Sequence, residues 1–140
     1  MAQTAAVKSI PKIRILIADD QPPIRKIVRL ILEGDSRFEV CGEAVDGVEA
    51  IHEAGKLMPD VAILNITMPR LNGLAAAREL KRKFPELAIV ILSSHADKQF
   101  IAEAKKVGAG AYVAKTKADE QLIRAIDGAI VTRGEFVLFA

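Results

Sequence analysis

Residues 13–23, with the sequence IRILIADDQPP, decide the fold class of this 140-residue chain. The segment opens with a short aliphatic run that is typical of a buried strand. It closes with Pro22 and Pro23, and proline is tolerated in the first turn of a helix. Apolar side chains then recur at helical spacing, namely Ile24, Ile27, Val28 and Ile31. The chain therefore starts with a strand followed at once by an amphipathic helix.

The same alternation of strand and helix continues along the chain. Four more β-branched or aliphatic runs predict strands at Phe38–Cys41, Val61–Leu64, Ala88–Leu92 and Ala111–Ala114. Parallel neighbours need a crossover connection, and near-continuous apolar strands indicate burial on both faces. The sequence therefore predicts an α/β fold, a doubly wound five-stranded parallel sheet with helices on both faces.

Two loops carry signals for helix starts. Asp46 with Glu49 three residues later predicts a capping arrangement at the second helix. Asn72-Gly73 predicts a turn before the third helix, where glycine permits a positive φ.

Length and composition indicate a single soluble domain. We expect residues 1–11 to form a flexible N-terminal extension, residues 12–134 to form the domain, and residues 135–140 to begin a linker or a C-terminal tail. This tail is unusually apolar. It could pack on the domain, pair with another copy, or mark the point where a longer chain was cut.

Composition also excludes several function classes. No apolar stretch reaches the roughly 20 residues that a membrane span needs, and Cys41 is the only cysteine, so we expect a cytoplasmic protein with no membrane contact. The net charge is +2 and aromatic residues make up 4%, which argues against direct nucleic-acid binding. The densest basic run, Arg78–Lys83, is typical of a solvated helix face.

Polar side chains stand where the predicted strands end. In doubly wound sheets, the ligand site lies outside the carboxyl ends of the strands. Carboxylates, a hydroxyl and a single lysine suit a hard divalent cation and a phosphoryl oxygen. The residues at these ends are Asp19, Asp20, Asn65, Ser93, Ser94 and Lys115.

The ordered set of motifs resembles the receiver domain of two-component response regulators, from about Ile13 to Gly134. The pieces are IADD ending at Asp20, LNITMP starting at Leu64, LSSH ending at His95, and GAYVAK ending at Lys115. The resemblance implies a flavodoxin-like fold with strand order 2-1-3-4-5. Thr116 after the lysine, and the serine-rich stretch before His95, are similar to the LuxR-type (NarL-type) class, which carries a DNA-binding output domain that we expect to be absent from this chain.

The resemblance also implies roles for individual residues. It assigns Mg²⁺ to Asp20 directly, to Asp19 through water, and to the Thr67 carbonyl. It makes Ser93 and Lys115 the partners of a phosphoryl group donated by a sensor histidine kinase. In the same way, Tyr112 would be an aromatic switch that turns inward when the hydroxyl moves, and Thr67, Ser94 and His95 would surround the mouth of the site.

The match fails at Asn65, where a phosphoacceptor domain carries Asp. An acyl phosphate needs a carboxylate nucleophile, and a neutral amide is a very poor one. We therefore expect a non-enzymatic receiver that cannot be phosphorylated and acts through protein contacts, either a natural atypical receiver or an Asp-to-Asn variant. Mg²⁺ affinity should be weakened, although the Asn65 oxygen can still act as a ligand. Without phosphate, Tyr112 should have no vacated space to enter, so the inactive population should dominate.

Other interpretations remain open at this point. Taken alone, Asp19-Asp20 is typical of a solvated loop, His95 of a surface histidine, and Tyr112 of simple packing. A phosphohydrolase or phosphotransferase using Asp19 or Asp20 is the alternative function, but no Gly-rich phosphate loop follows the first strand. A homodimer through the first and last helices, or through the apolar tail, is compatible with the receiver interpretation.

Overall fold

The computed structural model describes residues 11–131 and 136–139. Nearly all of the predicted N-terminal extension and part of the predicted tail lie outside the described residues. The strands are β1 Ile13–Ala18, β2 Phe38–Ala44, β3 Val61–Leu64, β4 Ala88–Ser93, β5 Ala111–Ala114 and β6 Val137–Phe139. The helices are α1 Pro22–Glu33, α2 Gly47–Leu57, α3 Gly73–Lys83, α4 Lys98–Lys106 and α5 Ala118–Val131, with a short 3-10 helix at Lys115–Lys117.

The strands form one parallel sheet in the order β2-β1-β3-β4-β5-β6. The doubly wound fold and the order of the first five strands are confirmed. The sheet has a sixth strand that the sequence did not predict. Ala111 of β5 pairs with Val137 of β6, and the Val137 N–H donates to the Gly110 carbonyl at 2.9 Å. Of the alternatives for the apolar tail, packing on the domain is the one that the structure shows for residues 136–139.

Each face of the sheet has its own hydrophobic core, because successive strand residues point to opposite sides. Leu16 and Ala18 of β1 belong to the core beneath α2, α3 and α4. Ile15 and Ile17 belong to the core beneath α1 and α5. Burial on both faces explains why these strands are near-continuous apolar runs.

The loops before α2 and α3 hold the helix starts close to the sheet. Asp46 accepts a hydrogen bond from the Glu49 N–H at 2.8 Å, which confirms the predicted cap. Asn72 caps α3 in the same way, through the Ala75 N–H at 2.9 Å. Within the described part of the chain, no helix has both the length and the hydropathy that crossing a bilayer requires.

The role predicted for Gly73 was wrong. Gly73 does not have a positive φ, and in this loop it is Arg70 that does, at 67°. A Cβ atom on Gly73 would instead lie 1.9 Å from the carbonyl oxygen of Asn65. Glycine is needed here because the start of α3 touches the backbone that carries Asn65.

Candidate functional site

The polar residues predicted at the strand ends meet at one edge of the sheet. Asp19 follows β1 and Asn65 follows β3, whereas Ser93 is the last residue of β4 and Lys115 follows β5. The Asn65 N–H donates to the Ala18 carbonyl at 2.9 Å, which places the β3 end beside the β1 end. The parallel sheet thus brings together residues that are far apart in the sequence.

Asp19 is the buried charge of the site, with 2% of its surface exposed. Its Oδ2 forms a 2.9 Å ion pair with the Lys115 ammonium, whose side chain is itself 13% exposed. Its Oδ1 accepts the Gln21 N–H at 2.9 Å. Both carboxylate oxygens are therefore engaged, as a buried charge requires.

Asn65 is also buried, whereas Asp20 beside it is exposed. The Asn65 Nδ2 group donates to the Thr67 carbonyl at 2.7 Å. The same nitrogen makes a longer contact of 3.4 Å with Asp20 Oδ1. The amide nitrogen thus lies between two oxygen atoms of the site.

A chain of hydrogen bonds continues from Thr67 into the loop after β4. The Thr67 hydroxyl lies 3.1 Å from His95 Nε2. The His95 N–H donates to the Ser93 hydroxyl at 2.9 Å, and the Tyr112 hydroxyl donates to the His95 carbonyl at 2.8 Å. The His95 ring also packs on Phe100 of α4, with ring centroids 4.9 Å apart. Contacts with these four residues therefore hold both the backbone and the side chain of His95 in place.

Comparison with known proteins shows the family of this chain. The response regulator receiver domain family matches residues 15–127. The chain belongs to this family. It is 36% identical over 115 residues to the transcriptional regulatory protein DegU of Brevibacillus brevis, covering 82% of this chain and 49% of that protein.

Two further similarities show the range of relatives. The protein-glutamate methylesterase/protein-glutamine glutaminase of Pyrococcus abyssi is 48% identical over 80 residues, which cover 57% of this chain and 22% of that enzyme. The crystal structure of a LuxR-family two-component response regulator from Aurantimonas sp. SI85-9A1 superimposes with a TM-score of 0.83 at 28% identity, covering 89% of each chain. This receiver domain spans about half the length of the transcriptional regulators that it matches.

Tyr112 is inside the receiver domain, which contradicts the expectation that it would find no space. Its side chain is fully buried, and its hydroxyl reaches the His95 carbonyl. Burial raises the pKa of the phenol, and the nearby Ser93 hydroxyl offsets part of this effect. Ser93 and Tyr112 both bond to the His95 backbone, so hydrogen bonds within the chain hold the ring inside.

Arg25 is a supporting residue that the sequence did not indicate. Its Nη1 group donates to the Asp19 carbonyl at 2.7 Å, and its Nε group donates to Glu43 Oε1 at 2.8 Å. Burial alone would raise the pKa of Glu43, but hydrogen bonds from Arg29 and Arg25 outweigh this and lower it. The ion pair between Arg25 and Glu43 links the start of α1 to β2 next to Asp19. Its two residues are 18 positions apart in the sequence, so no local pattern indicates the contact.

The oxygen atoms of the site are arranged around internal donors in this structure. Among residues 11–131 and 136–139, no group of three or more His, Cys, Asp and Glu side chains is placed to hold a metal. Asp19 faces Lys115 and Gln21, and the Thr67 carbonyl faces the amide of Asn65. A cation would therefore find these oxygens already hydrogen-bonded, and the residues fit Mg²⁺ poorly as they stand.

Proposed function

We propose that this receiver domain transmits a signal through protein contacts and cannot accept a phosphoryl group at position 65. The observation that supports this most directly is the chemistry of Asn65, the residue that follows β3 between Asp20 and Thr67. The amide carries no negative charge, and its nitrogen is engaged as a hydrogen-bond donor. An acyl phosphate therefore has no nucleophile from which to form there.

The other residues of the site support a receiver mechanism in which only the acceptor has changed. Ser93 ends β4 and Lys115 follows β5, and we expect them to offer a hydroxyl and an ammonium group to a phosphoryl group on the β3 end. Thr67, Ser94 and His95, on the loops after β3 and β4, would form the mouth of the site. Asp20 and the Thr67 carbonyl face the amide of Asn65, so we expect any Mg²⁺ affinity to be weaker than that of a site with a carboxylate at position 65.

The partners that we propose are other proteins of a cytoplasmic signalling chain. A sensor histidine kinase or another regulatory protein would bind near the site mouth, and the length of the transcriptional relatives is consistent with a DNA-binding output domain. Ile27 and Leu30 on α1 and Val131 on α5 are at least half exposed and offer an apolar surface to a second copy. The receiver domain itself would contact no nucleic acid.

We propose no enzymatic activity for these residues. A hydrolase would need Asp19 or Asp20 as a nucleophile, but both oxygens of Asp19 are engaged by Lys115 and Gln21. The His95 ring is bonded to the Thr67 hydroxyl, and a general base would have to lie within hydrogen-bond reach of the group that it activates.

Intact-mass spectrometry after incubation with acetyl phosphate and Mg²⁺ tests the proposal. We expect Asn65→Asp to gain one phosphoryl mass and the unchanged chain to gain none, because only the variant has a carboxylate at the β3 end. Asn72→Asp makes the same chemical change at the cap of α3, outside the site, and should also gain none. A phosphoryl mass on the unchanged chain would refute the proposal, and its absence from Asn65→Asp would mean that the site has lost more than its nucleophile.

A further inference from the structure

The side chain of Asn65 makes contacts that a small cation would make. Its nitrogen lies 2.7 Å from the Thr67 carbonyl and 3.4 Å from Asp20 Oδ1. A carbonyl and a carboxylate are both hydrogen-bond acceptors, so the group between them must be a donor. This fixes the orientation of the amide, with its NH₂ group toward the two oxygens.

Asp19, the other carboxylate of the site, is also surrounded by donors that belong to the chain. Asp19 has the Lys115 ammonium on Oδ2 and the Gln21 N–H on Oδ1, and its own carbonyl accepts from Arg25. Each of these oxygens, which could otherwise attract a cation, therefore has a donor of the protein against it. Asp20 is held more weakly than the other oxygens, because it is exposed and its contact with Asn65 is long.

We propose that the amide nitrogen of Asn65 replaces the divalent cation, so that the domain holds its functional loops in place without metal. This rests on the proposed function, in which Asn65 occupies the acceptor position. For a cation to bind between Asp20 and the Thr67 carbonyl, the amide would have to turn and present Oδ1. The amide would then lose its hydrogen bond to Thr67, and its Oδ1 would face the Thr67 carbonyl oxygen, which is also an acceptor.

An aspartate at position 65 would make the site depend on a cation. In Asn65→Asp, two carboxylates and a carbonyl would face one another at the distances that Asn65 Nδ2 now bridges, and like charges at such distances repel. A divalent cation would relieve that repulsion, since hard cations bind carboxylate and carbonyl oxygens. The single substitution should therefore turn a metal-independent site into a metal-dependent one.

The replacement matters beyond the immediate contacts because Thr67 connects to the rest of the network. Its carbonyl is held by Asn65 and its hydroxyl by His95. His95 in turn bonds Ser93 and Tyr112. The amide thus stabilises one arrangement of the loops after β3 and β4, with Tyr112 inside, through donors and acceptors that belong to the chain itself.

Thermal unfolding of the whole chain tests the proposal when it is measured once in EDTA and once in about 10 mM MgCl₂. This concentration is above the dissociation constants of even weak protein sites for such cations. We expect no Mg²⁺-dependent shift for the unchanged chain. Asn65→Asp should melt lower than the unchanged chain in EDTA and recover by about 5 °C or more with Mg²⁺. Asn72→Asp, with the same change of charge outside the site, should behave like the unchanged chain.

Nuclear magnetic resonance with Mn²⁺ as a paramagnetic probe supplies a second readout that does not depend on stability. Signals around Asp20 and Thr67 should broaden in Asn65→Asp at Mn²⁺ concentrations that leave the unchanged chain unaffected. Equal broadening, or an equal gain of melting temperature in both proteins, would overturn the replacement of the cation. This outcome is separate from phosphorylation: an Asn65→Asp protein that binds metal but gains no phosphoryl mass would contradict the proposal that only the acceptor has changed, and it would leave this inference standing.

Discussion

Gly73→Ala should lower the free energy of unfolding by at least about 3 kcal/mol, the upper part of the range for overpacked sites. The added Cβ would lie 1.9 Å from the Asn65 carbonyl oxygen and 2.8 Å from its carbonyl carbon. Both are backbone atoms, so no side chain can turn away to make room. The Gly73 N–H also donates to the Ile66 carbonyl at 2.8 Å, so any shift of α3 would strain this bond. Urea denaturation of both proteins measures the loss.

Gly55→Ala is the matched control for this substitution. Gly55 lies within α2, and outside the backbone of this helix the nearest heavy atom to an added Cβ is in the Phe84 ring at 3.7 Å, an ordinary contact distance. Alanine favours a helix interior over glycine, so this variant should gain about 0.5–1 kcal/mol. A loss at Gly73 no larger than about 1 kcal/mol, the typical effect of any substitution, would show that α3 does not press on Asn65 as the structure indicates.

Lys115→Met should destabilise the domain by about 3–5 kcal/mol, the usual effect of removing one partner from a buried ion pair. Methionine keeps an unbranched side chain but removes the ammonium from Asp19 Oδ2, so that the carboxylate keeps only the Gln21 N–H, at 2.9 Å from Oδ1. Asp19 is 2% exposed, so water cannot replace the lost partner without opening the site. Equilibrium denaturation at neutral pH measures the effect.

Two further variants separate this effect from a general loss of charge. Arg78→Met breaks the pair between Arg78 and Glu103, whose side chains are 64% and 39% exposed, and should cost less than about 1 kcal/mol. Adding Asp19→Asn to Lys115→Met removes the uncompensated charge and should recover most of the loss. If Lys115→Met costs no more than Arg78→Met, the buried pair does not stabilise the domain.

The fold could be predicted from the sequence because its strands are buried on both faces. β1 and β3 are continuous apolar runs for that reason, and the turn and cap residues between elements are local signals. β6 was not predicted because it has only three residues, of which Leu138 is half exposed. A segment this short has too few positions to show a strand periodicity.

The sequence predicted which residues would gather at the strand ends, but it did not predict the contacts that they make. Parallel strands bring their carboxyl ends together, so the sequence alone was enough to group Asp19, Asn65 and Lys115. The direction in which the Asn65 amide points depends on the Thr67 carbonyl and, at a longer distance, on Asp20, 45 residues away. The position of Tyr112 depends on the backbone of His95, 17 residues away. Such choices are made by hydrogen-bond partners that local sequence does not identify.

The hydrogen-bond network from Asn65 to Tyr112 is built from groups of the chain itself, and Tyr112 can report on whether it forms without metal or phosphate. The chain has one tyrosine and no tryptophan, so ultraviolet absorbance of the phenolate follows Tyr112 alone. Burial raises the pKa of Tyr112 in the folded domain. The unfolded chain releases this proton first as the pH rises, so the contribution of Tyr112 to stability is lost above the usual tyrosine pKa of about 10.

A spectrophotometric pH titration in EDTA, without any phosphodonor, measures whether Tyr112 is inside under these conditions. We expect Tyr112 to titrate above the range that the same chain shows in denaturant, as long as circular dichroism confirms that the domain is folded. A folded domain in which Tyr112 titrates together with the denatured chain would contradict a network independent of metal and phosphate, because the ring would then be exposed to water when both are withheld.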